Sequence, residues 1–139
     1  MKLRINGSSV RLRVLRPEVS RLIETGSIEE RVYFTPSDQS AFTYALKLES
    51  GLWKVQLRYE QAKIIVVLPA EIASRWADTD EVGIYAAVDL EKHGTLDIIV
   101  EKDFACLDLS DAVTLHFKSR NYACLFSILF WGLSALSLH

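Results

Sequence analysis

Apolar and polar residues along the chain repeat one unit twice: an apolar strand that runs directly into a short helix opening with proline. The first unit is Val10–Gly26 and the second is Lys63–Asp80, with corresponding residues about 53 positions apart. Pro17 and Pro69 suit the first helical position, because a proline lacks the N–H that would be unpaired there and its φ is already helical. The pattern therefore predicts two strand-to-helix corners.

The N-terminal residues have the alternation of a hairpin buried on one face. Lys2–Ile5 and Val10–Leu15 alternate apolar with basic residues, and Asn6-Gly7 between them is a strong hairpin turn. The residues predicted to face the core are Leu3, Ile5, Val10, Leu12 and Val14. The residues predicted on the opposite face are Lys2, Arg4, Arg11 and Arg13.

Both predicted helices are short and amphipathic. Val19, Leu22 and Ile23 follow the i, i+3, i+4 spacing of one helical face, and Gly26 supplies a left-handed stop. The second helix is predicted to bury Ile72, Ala73, Trp76 and Ala77. Packing against the sheet must hold such short helices.

Further alternation predicts six more strands, with a hairpin turn at Ser50-Gly51. They are Arg31–Thr35, Ala41–Glu49, Trp53–Tyr59, Ile64–Leu68, Val82–Asp89 and Thr95–Glu101. Ile64–Leu68 is apolar on both faces, which is typical of a central strand. About eight strands with short connections predict an α+β fold: a largely antiparallel, curved or barrel-like sheet with two short helices in pseudo-duplicated strand–helix units.

Size and charge favour one globular domain. The chain has 139 residues, of which 50% are hydrophobic, enough for a real core. Residues 1–63 hold 11 Lys/Arg against 7 Asp/Glu, whereas residues 64–111 hold 3 against 11. These oppositely charged parts can attract each other within the fold, or the basic part can form an anion-binding surface. A mildly acidic chain without aromatic residues among its arginines disfavours nucleic-acid binding.

The reactive residue types form no catalytic constellation. His93, His116 and His139 are widely separated, and Cys106 and Cys124 have no zinc-site or disulfide spacing. The glycines occur singly, so no phosphate-binding loop is predicted. We therefore expect no metal, no cofactor and no catalytic residue. The two isolated cysteines and the absence of a secretory signal favour the cytoplasm.

One basic face is the best candidate for a ligand site. If the sheet is concave there, arginine forks could bind a phosphate or carboxylate. The candidate anion-binding residues are Arg11, Arg13, Arg58 and Lys102. The wider set adds Lys2, Arg4, Lys54 and Glu101. The alternative is a solvated outer face with no ligand.

Four separated stretches carry a family resemblance. They are MKLRINGSSVRLRV at the start, TYAL at Thr43–Leu46, LPAEIASRWADTDEVG at Leu68–Gly83 and EKDFACL at Glu101–Leu107. In this order they resemble a family of small bacterial proteins known only as a domain of unknown function. The resemblance covers about residues 1–107 and implies a bacterial source and one coherent domain. It implies no activity, cofactor or catalytic residue.

The C-terminal segment differs in composition, so we predict a globular domain over residues 1–107 and an atypical apolar tail over 108–139. Tyr122–Leu138 is a run of 17 uncharged residues preceded by Lys118 and Arg120. Such a run is at the lower limit for a membrane-spanning helix, which would anchor the domain on the cytoplasmic side of the inner membrane. Its serines favour a packed or self-associating helix instead, and an altered, poorly ordered reading frame is the third alternative.

Two functional hypotheses follow. The first is a non-enzymatic domain that binds a partner protein or a small ligand, favoured by the lack of a catalytic constellation. The second is an enzyme or sensor for an anionic metabolite that uses the basic face, with Arg11, Arg13 and Arg58 at its centre. Convergence of these arginines in a concave pocket is the observation that would separate the two.

Overall fold

The structure is a computed structural model that describes residues 1–104. The strands are β1 Lys2–Asn6, β2 Ser9–Val14, β3 Ser27–Tyr33, β4 Ala41–Glu49, β5 Gln56–Glu60, β6 Lys63–Pro69, β7 Gly83–Asp89 and β8 Thr95–Lys102. The helices are α1 Arg16–Thr25 and α2 Ala70–Asp78, and short 3-10 turns lie at Asp38–Ser40 and Glu91–His93. The predicted α+β class, with eight strands and two helices, is confirmed within this range.

The strands form two open four-stranded sheets. Their orders are β1-β2-β8-β7 and β3-β4-β6-β5. In each sheet two antiparallel hairpins meet at a central parallel pair, β2 with β8 and β4 with β6. Each helix carries the chain from one sheet to the other. Pairing is therefore largely antiparallel, as predicted. The strands belong to two open sheets because each helix takes the chain out of one sheet and into the other.

The two halves of the described chain have the same element order, strand-strand-helix-strand-strand. Ser9 and Lys63 lie 54 residues apart at the starts of β2 and β6, and their parallel partners, Asp97 and Thr43, are also 54 apart. The central register is therefore the same in both sheets. This arrangement agrees with the two strand–helix units predicted from the sequence.

The two prolines occupy different positions in these units. Pro17 is the second residue of α1, whereas Pro69 ends β6 and is the N-cap of α2. The residue equivalent to Pro69 is Leu15, the N-cap of α1, 54 positions earlier. The predicted first helical position is thus wrong for both. The comparison of the two units by sequence matched proline with proline, whereas the structure matches Pro69 with Leu15. Proline is tolerated at both positions because no intrahelical N–H is needed there.

The core lies between the inner faces of the sheets and the helices. Its largest fully buried residues include Trp76, Leu12, Leu22, Leu46, Leu68, Ile98, Val14, Val66 and Val100. Most are equivalent pairs 54 residues apart, such as Leu22 with Trp76. Two predicted core residues are exposed: Ile5 at 56% and Ile23 at 38%. Ile5 is near the end of an outer strand, where nothing in residues 1–104 covers it.

The predicted hairpin at Ser50-Gly51 is wrong. β5 pairs with β6, and β4 pairs with β3 and β6, so β4 and β5 are not neighbours. Residues 50–55 form a loop in which Trp53 is 80% exposed. The alternation from Trp53 onwards predicted a strand that begins three residues too early. A parallel neighbour, which local alternation cannot indicate, separates the two strands.

The predictions for the C-terminal segment lie outside the described residues. They include the domain boundary at residue 107 and the roles considered for Tyr122–Leu138. Within residues 1–104, neither helix is long and apolar enough to cross a membrane.

Candidate functional site

A groove with a volume of about 320 Å³ lies between α2, β7 and the loop before β5. We name it the α2–β7 groove. Its apolar lining residues, which we call the floor, are Val55, Ile72, Ile84 and Ala86. Its polar lining residues, which we call the rim, are Lys54, Arg75, Glu81 and Tyr85. An apolar floor with a few polar groups at the rim is typical of ligand sites, and the volume is at the lower end of their range.

The walls of the groove are held in place by packing beneath it. Trp76 is fully buried, and its indole N–H donates to the C=O of Val82 over 3.3 Å, which ties α2 to the start of β7. Gly83 keeps the Tyr85 ring where it is, because a Cβ at Gly83 would lie 2.9 Å from the Val100 carbonyl oxygen and 3.0 Å from that ring. The position of Tyr85 on the rim therefore depends on a glycine.

The rim has a positive end. Arg75 Nε lies 3.3 Å from Glu81 Oε1, so these two exposed charges largely neutralise each other. Lys54 Nζ lies 4.8 Å from the centre of the Trp53 ring. Among residues 1–104, no carboxylate lies within ion-pair distance of Lys54. Lys54 is therefore the cation on this rim that remains available to an incoming anion.

The equivalent place in the first half contains a charged cluster around the N-terminal amine. The Met1 ammonium contacts the Glu18 carboxylate and lies 3.4 Å from Glu30 Oε1. The Tyr44 hydroxyl donates to the Met1 C=O over 3.1 Å. The side chain of Met1 packs against the core. This corner of the first half is therefore filled by Met1 and its partners.

The second half replaces that cluster with apolar side chains. Equivalent residues are 54 apart in most elements, as in Leu46 and Val100, and 56 apart between β3 and β7, as in Ile28 and Ile84. On this correspondence Met1, Glu18, Glu30 and Tyr44 become Val55, Ile72, Ala86 and Ile98. Three of these four apolar residues form the floor of the groove. The same structural corner is thus closed by ions in one half and open and apolar in the other.

The Tyr44 hydroxyl in this cluster gives a testable pH dependence. Burial raises the pKa of Tyr44, and the negative charges of Glu30 and Glu18 raise it further. Because the folded pKa lies above the unfolded value of about 10, this contribution to stability is present below pH ~10 and is lost as the pH rises towards the folded pKa. Between pH ~9 and ~11 we therefore expect wild type to lose more free energy of unfolding than Tyr44→Phe does.

Urea unfolding at the two pH values measures this difference. Tyr59→Phe is the control, because Tyr59 is 66% exposed and makes no contact with the cluster. Equal alkaline losses in wild type and Tyr44→Phe would contradict the assignment.

The structure brings together two of the four residues predicted to bind an anion. Arg11 and Arg13 are neighbours on the outer face of β2, and Glu101 Oε2 lies 3.6 Å from Arg11 Nη1 and 3.8 Å from Arg13 Nε. One carboxylate therefore already faces both arginines. An anion at this place would compete with Glu101.

The other two predicted residues lie elsewhere. Arg58 is in the second sheet, where its Nη2 lies 3.1 Å from Glu49 Oε2. Lys102 donates to the C=O of Thr79, just after α2, and its Nζ lies 5.6 Å from the centre of the Trp76 ring. Lys102 thus satisfies a carbonyl at the C-terminal end of a helix, where a cation is favourable. The four-residue anion site stays a prediction.

Sequence reasoning did not single out the groove. The sequence predicts Ile72 as a buried residue of the second helix, places Ile84 within a strand, and assigns Lys54 to a basic face. They come from three segments that meet only when the sheets pack. One signal was present: Gly83–Val88 is an uncharged stretch beside an amphipathic helix.

Comparison with known proteins places the chain in a family. A model described as a family of unknown function (DUF7009) matches residues 1–122. The chain belongs to DUF7009. This confirms the resemblance drawn from the four stretches, and the match extends past residue 107. No curated protein and no solved structure matches the chain. Membership of DUF7009 therefore assigns no activity.

Proposed function

We propose that this DUF7009 protein is a non-enzymatic binding domain whose ligand site is the α2–β7 groove. One observation carries the proposal: a corner that Met1 fills in the first half is an open groove of about 320 Å³ in the second. Because protein interiors are close-packed, an open apolar recess with a polar rim supports a binding role. The halves share their framework and differ at this corner.

The lining indicates the chemistry of the ligand. The floor of Val55, Ile72, Ile84 and Ala86 favours an apolar group. Lys54 favours a negative group next to it, since Glu81 already neutralises Arg75. The ligand therefore combines one apolar group with an adjacent anion. A small carboxylate and a peptide segment both have this chemistry.

Filling the groove is expected to abolish binding. Ala86→Leu adds three carbons to the floor, whereas Ala87→Leu, on the opposite face of β7, leaves the groove open. The probes are N-acetyl-leucine, N-acetyl-phenylalanine and inorganic phosphate. Thermal unfolding of the full chain is measured with and without each probe. At a tenfold excess over Kd a bound probe adds about 1.4 kcal/mol to stability, a rise in Tm of a few degrees. We expect this rise with the N-acetyl amino acids in wild type and Ala87→Leu, and none in Ala86→Leu.

The same screen tests the second functional hypothesis. A rise in Tm with phosphate that Arg11→Ala removes would support the anion-binding enzyme or sensor instead. A rise with the N-acetyl amino acids that persists in Ala86→Leu would place their site outside the groove.

A bacterial source and a cytoplasmic location complete the proposal. The resemblance supports the first. The isolated cysteines, which are typical of a reducing compartment, support the second.

A further inference from the structure

In the part of the chain that the structure describes, β7 is an outer strand with an unprotected edge. Within residues 1–104, β7 pairs with β8 alone, so its other edge is open. Outer strands usually carry charged residues, prolines or bulges that prevent another strand from pairing. The other three outer strands carry such charges: Lys2 and Arg4 in β1, Glu29, Glu30 and Arg31 in β3, and Arg58 and Glu60 in β5. β7 has no charge before its last residue, Asp89.

The hydrogen bonds show which β7 residues direct their backbone groups to the open edge. The Lys102 N–H donates to the Val82 C=O over 2.9 Å, and the Leu90 N–H donates to the Gly94 C=O over 2.7 Å. Since hydrogen-bonded positions alternate in an antiparallel pair, the even-numbered residues bond towards β8. The N–H and C=O groups of Gly83, Tyr85 and Ala87 therefore point away from the sheet.

The open edge borders the α2–β7 groove. Ile84 and Ala86 point from β7 into the groove, and Ile72 faces them from α2. A strand added about 4.8 Å from β7 would place alternate side chains over the same groove. Gly83 and Ala87 are small, which leaves room for an incoming backbone. The edge thus offers main-chain hydrogen bonds, and the groove offers a site for an apolar side chain.

We propose that an extended peptide segment of a partner protein adds to this sheet as a fifth strand beside β7. One apolar side chain of the peptide enters the α2–β7 groove, and a neighbouring acidic residue lies beside Lys54. This inference rests on the proposed function and specifies its ligand. Strand addition between an outer strand and a helix gives affinity through main-chain bonds and specificity through alternate side chains. It accounts for both the uncharged edge and the positive rim.

A display library of random eight-residue peptides, selected on the immobilised full chain, provides the probe. We expect enriched peptides to contain an acidic residue near an apolar one. One synthetic peptide is then measured by fluorescence anisotropy, with each amide N-methylated in turn. Because alternate amides of an added strand bond to β7, methylation at every second residue should weaken binding about tenfold, and at the residues between them far less.

A matched pair of variants tests the edge itself. Ala87→Pro removes one outward N–H without removing a bond to β8, and proline is tolerated in outer strands. Arg31→Pro, 56 residues earlier, makes the same change at the equivalent position of β3. We expect Kd to rise about tenfold in Ala87→Pro and to stay unchanged in Arg31→Pro. Ala87→Lys keeps the N–H and adds a charge next to the edge, and circular dichroism establishes that all three variants fold.

Four results would overturn the inference. If methylation shows no alternation and Ala87→Pro binds normally while Ala86→Leu does not, the groove is the site but no strand is added. If no peptide is enriched while the N-acetyl amino acids still raise Tm, the ligand is a small molecule. If the peptide is displaced by a second copy of the chain in a concentration-dependent dimer, the edge serves self-association. Peptide binding that is unchanged by Ala86→Leu would contradict both this inference and the proposed function.

Discussion

Replacing Trp76 with alanine is expected to lower the free energy of unfolding by about 3–5 kcal/mol. Trp76 is fully buried in the core, its N–H donates to Val82, and Lys102 lies over its ring. The substitution leaves a large cavity, removes one of the two hydrogen bonds that the Val82 carbonyl accepts, and loosens a wall of the α2–β7 groove. Urea unfolding monitored by far-UV circular dichroism measures the change.

Trp53→Ala is the matched control for this prediction. Trp53 is 80% exposed, so its removal should change the free energy of unfolding by less than about 0.5 kcal/mol. A similar loss in both variants would mean that the packing of α2 against the sheets contributes much less than its burial indicates. Loss of N-acetyl amino-acid binding in Trp76→Ala alone is also expected, because Trp76 positions α2 against β7.

Glu18→Gln is expected to lower the free energy of unfolding by about 2–4 kcal/mol, because it leaves the Met1 ammonium without its closest counter-charge. The Glu18 side chain is 13% exposed, contacts the Met1 ammonium and accepts the Leu15 N–H over 2.9 Å. Glutamine keeps the size and can still accept a hydrogen bond, so the change isolates the charge. The effect should persist at ~0.5 M salt, since screening acts weakly on a partly buried pair.

Glu24→Gln serves as the control in the same helix, because Glu24 is exposed. Its effect should stay within about 0.5 kcal/mol. If both variants lose the same small amount, the Met1 cluster does not close the first half as the geometry indicates, and the contrast between the two halves weakens.

This contrast connects stability with function. In the first half the corner is closed by the Met1 ammonium and its carboxylates, which leaves no recess. In the second half Ile72 stands in place of Glu18 and Val55 in place of Met1, so the corner has apolar walls around an open groove. Two halves with one framework can therefore divide their roles, with one closing the core and the other presenting a site.

Local features of the fold were predictable from the sequence. The bounds of β4 agree with the alternation of Ala41–Glu49, and Gly26 ends α1 with φ of 81°. β3 begins directly after Gly26, four residues before the predicted start at Arg31. The strand begins there because its partner strand β4 extends that far. The alternation within one strand does not indicate how far its partner extends.

The candidate site was less predictable than the fold. The four basic residues shared a pattern of alternation, but Arg58 lies in a different sheet from Arg11 and Arg13, and Lys102 caps a helix end. Alternate residues of a strand share one face of the sheet to which that strand belongs. The alternation does not indicate whether two strands belong to the same sheet. Which strands share that sheet is decided by the helical crossovers.

The sequence by itself determined the element types, the two strand–helix units and most of the core, because periodicity, turn residues and apolar content act over a few neighbouring positions. The family resemblance depends instead on four separate stretches of the sequence. Only the tertiary structure decided how the hairpins divide between two sheets, which central strands pair in parallel, and why the two equivalent corners differ. Those features depend on residues far apart in the chain, such as Met1 and Glu18, which are in contact, and Val55 and Ile72, which line one groove. No local pattern records the energies of such arrangements.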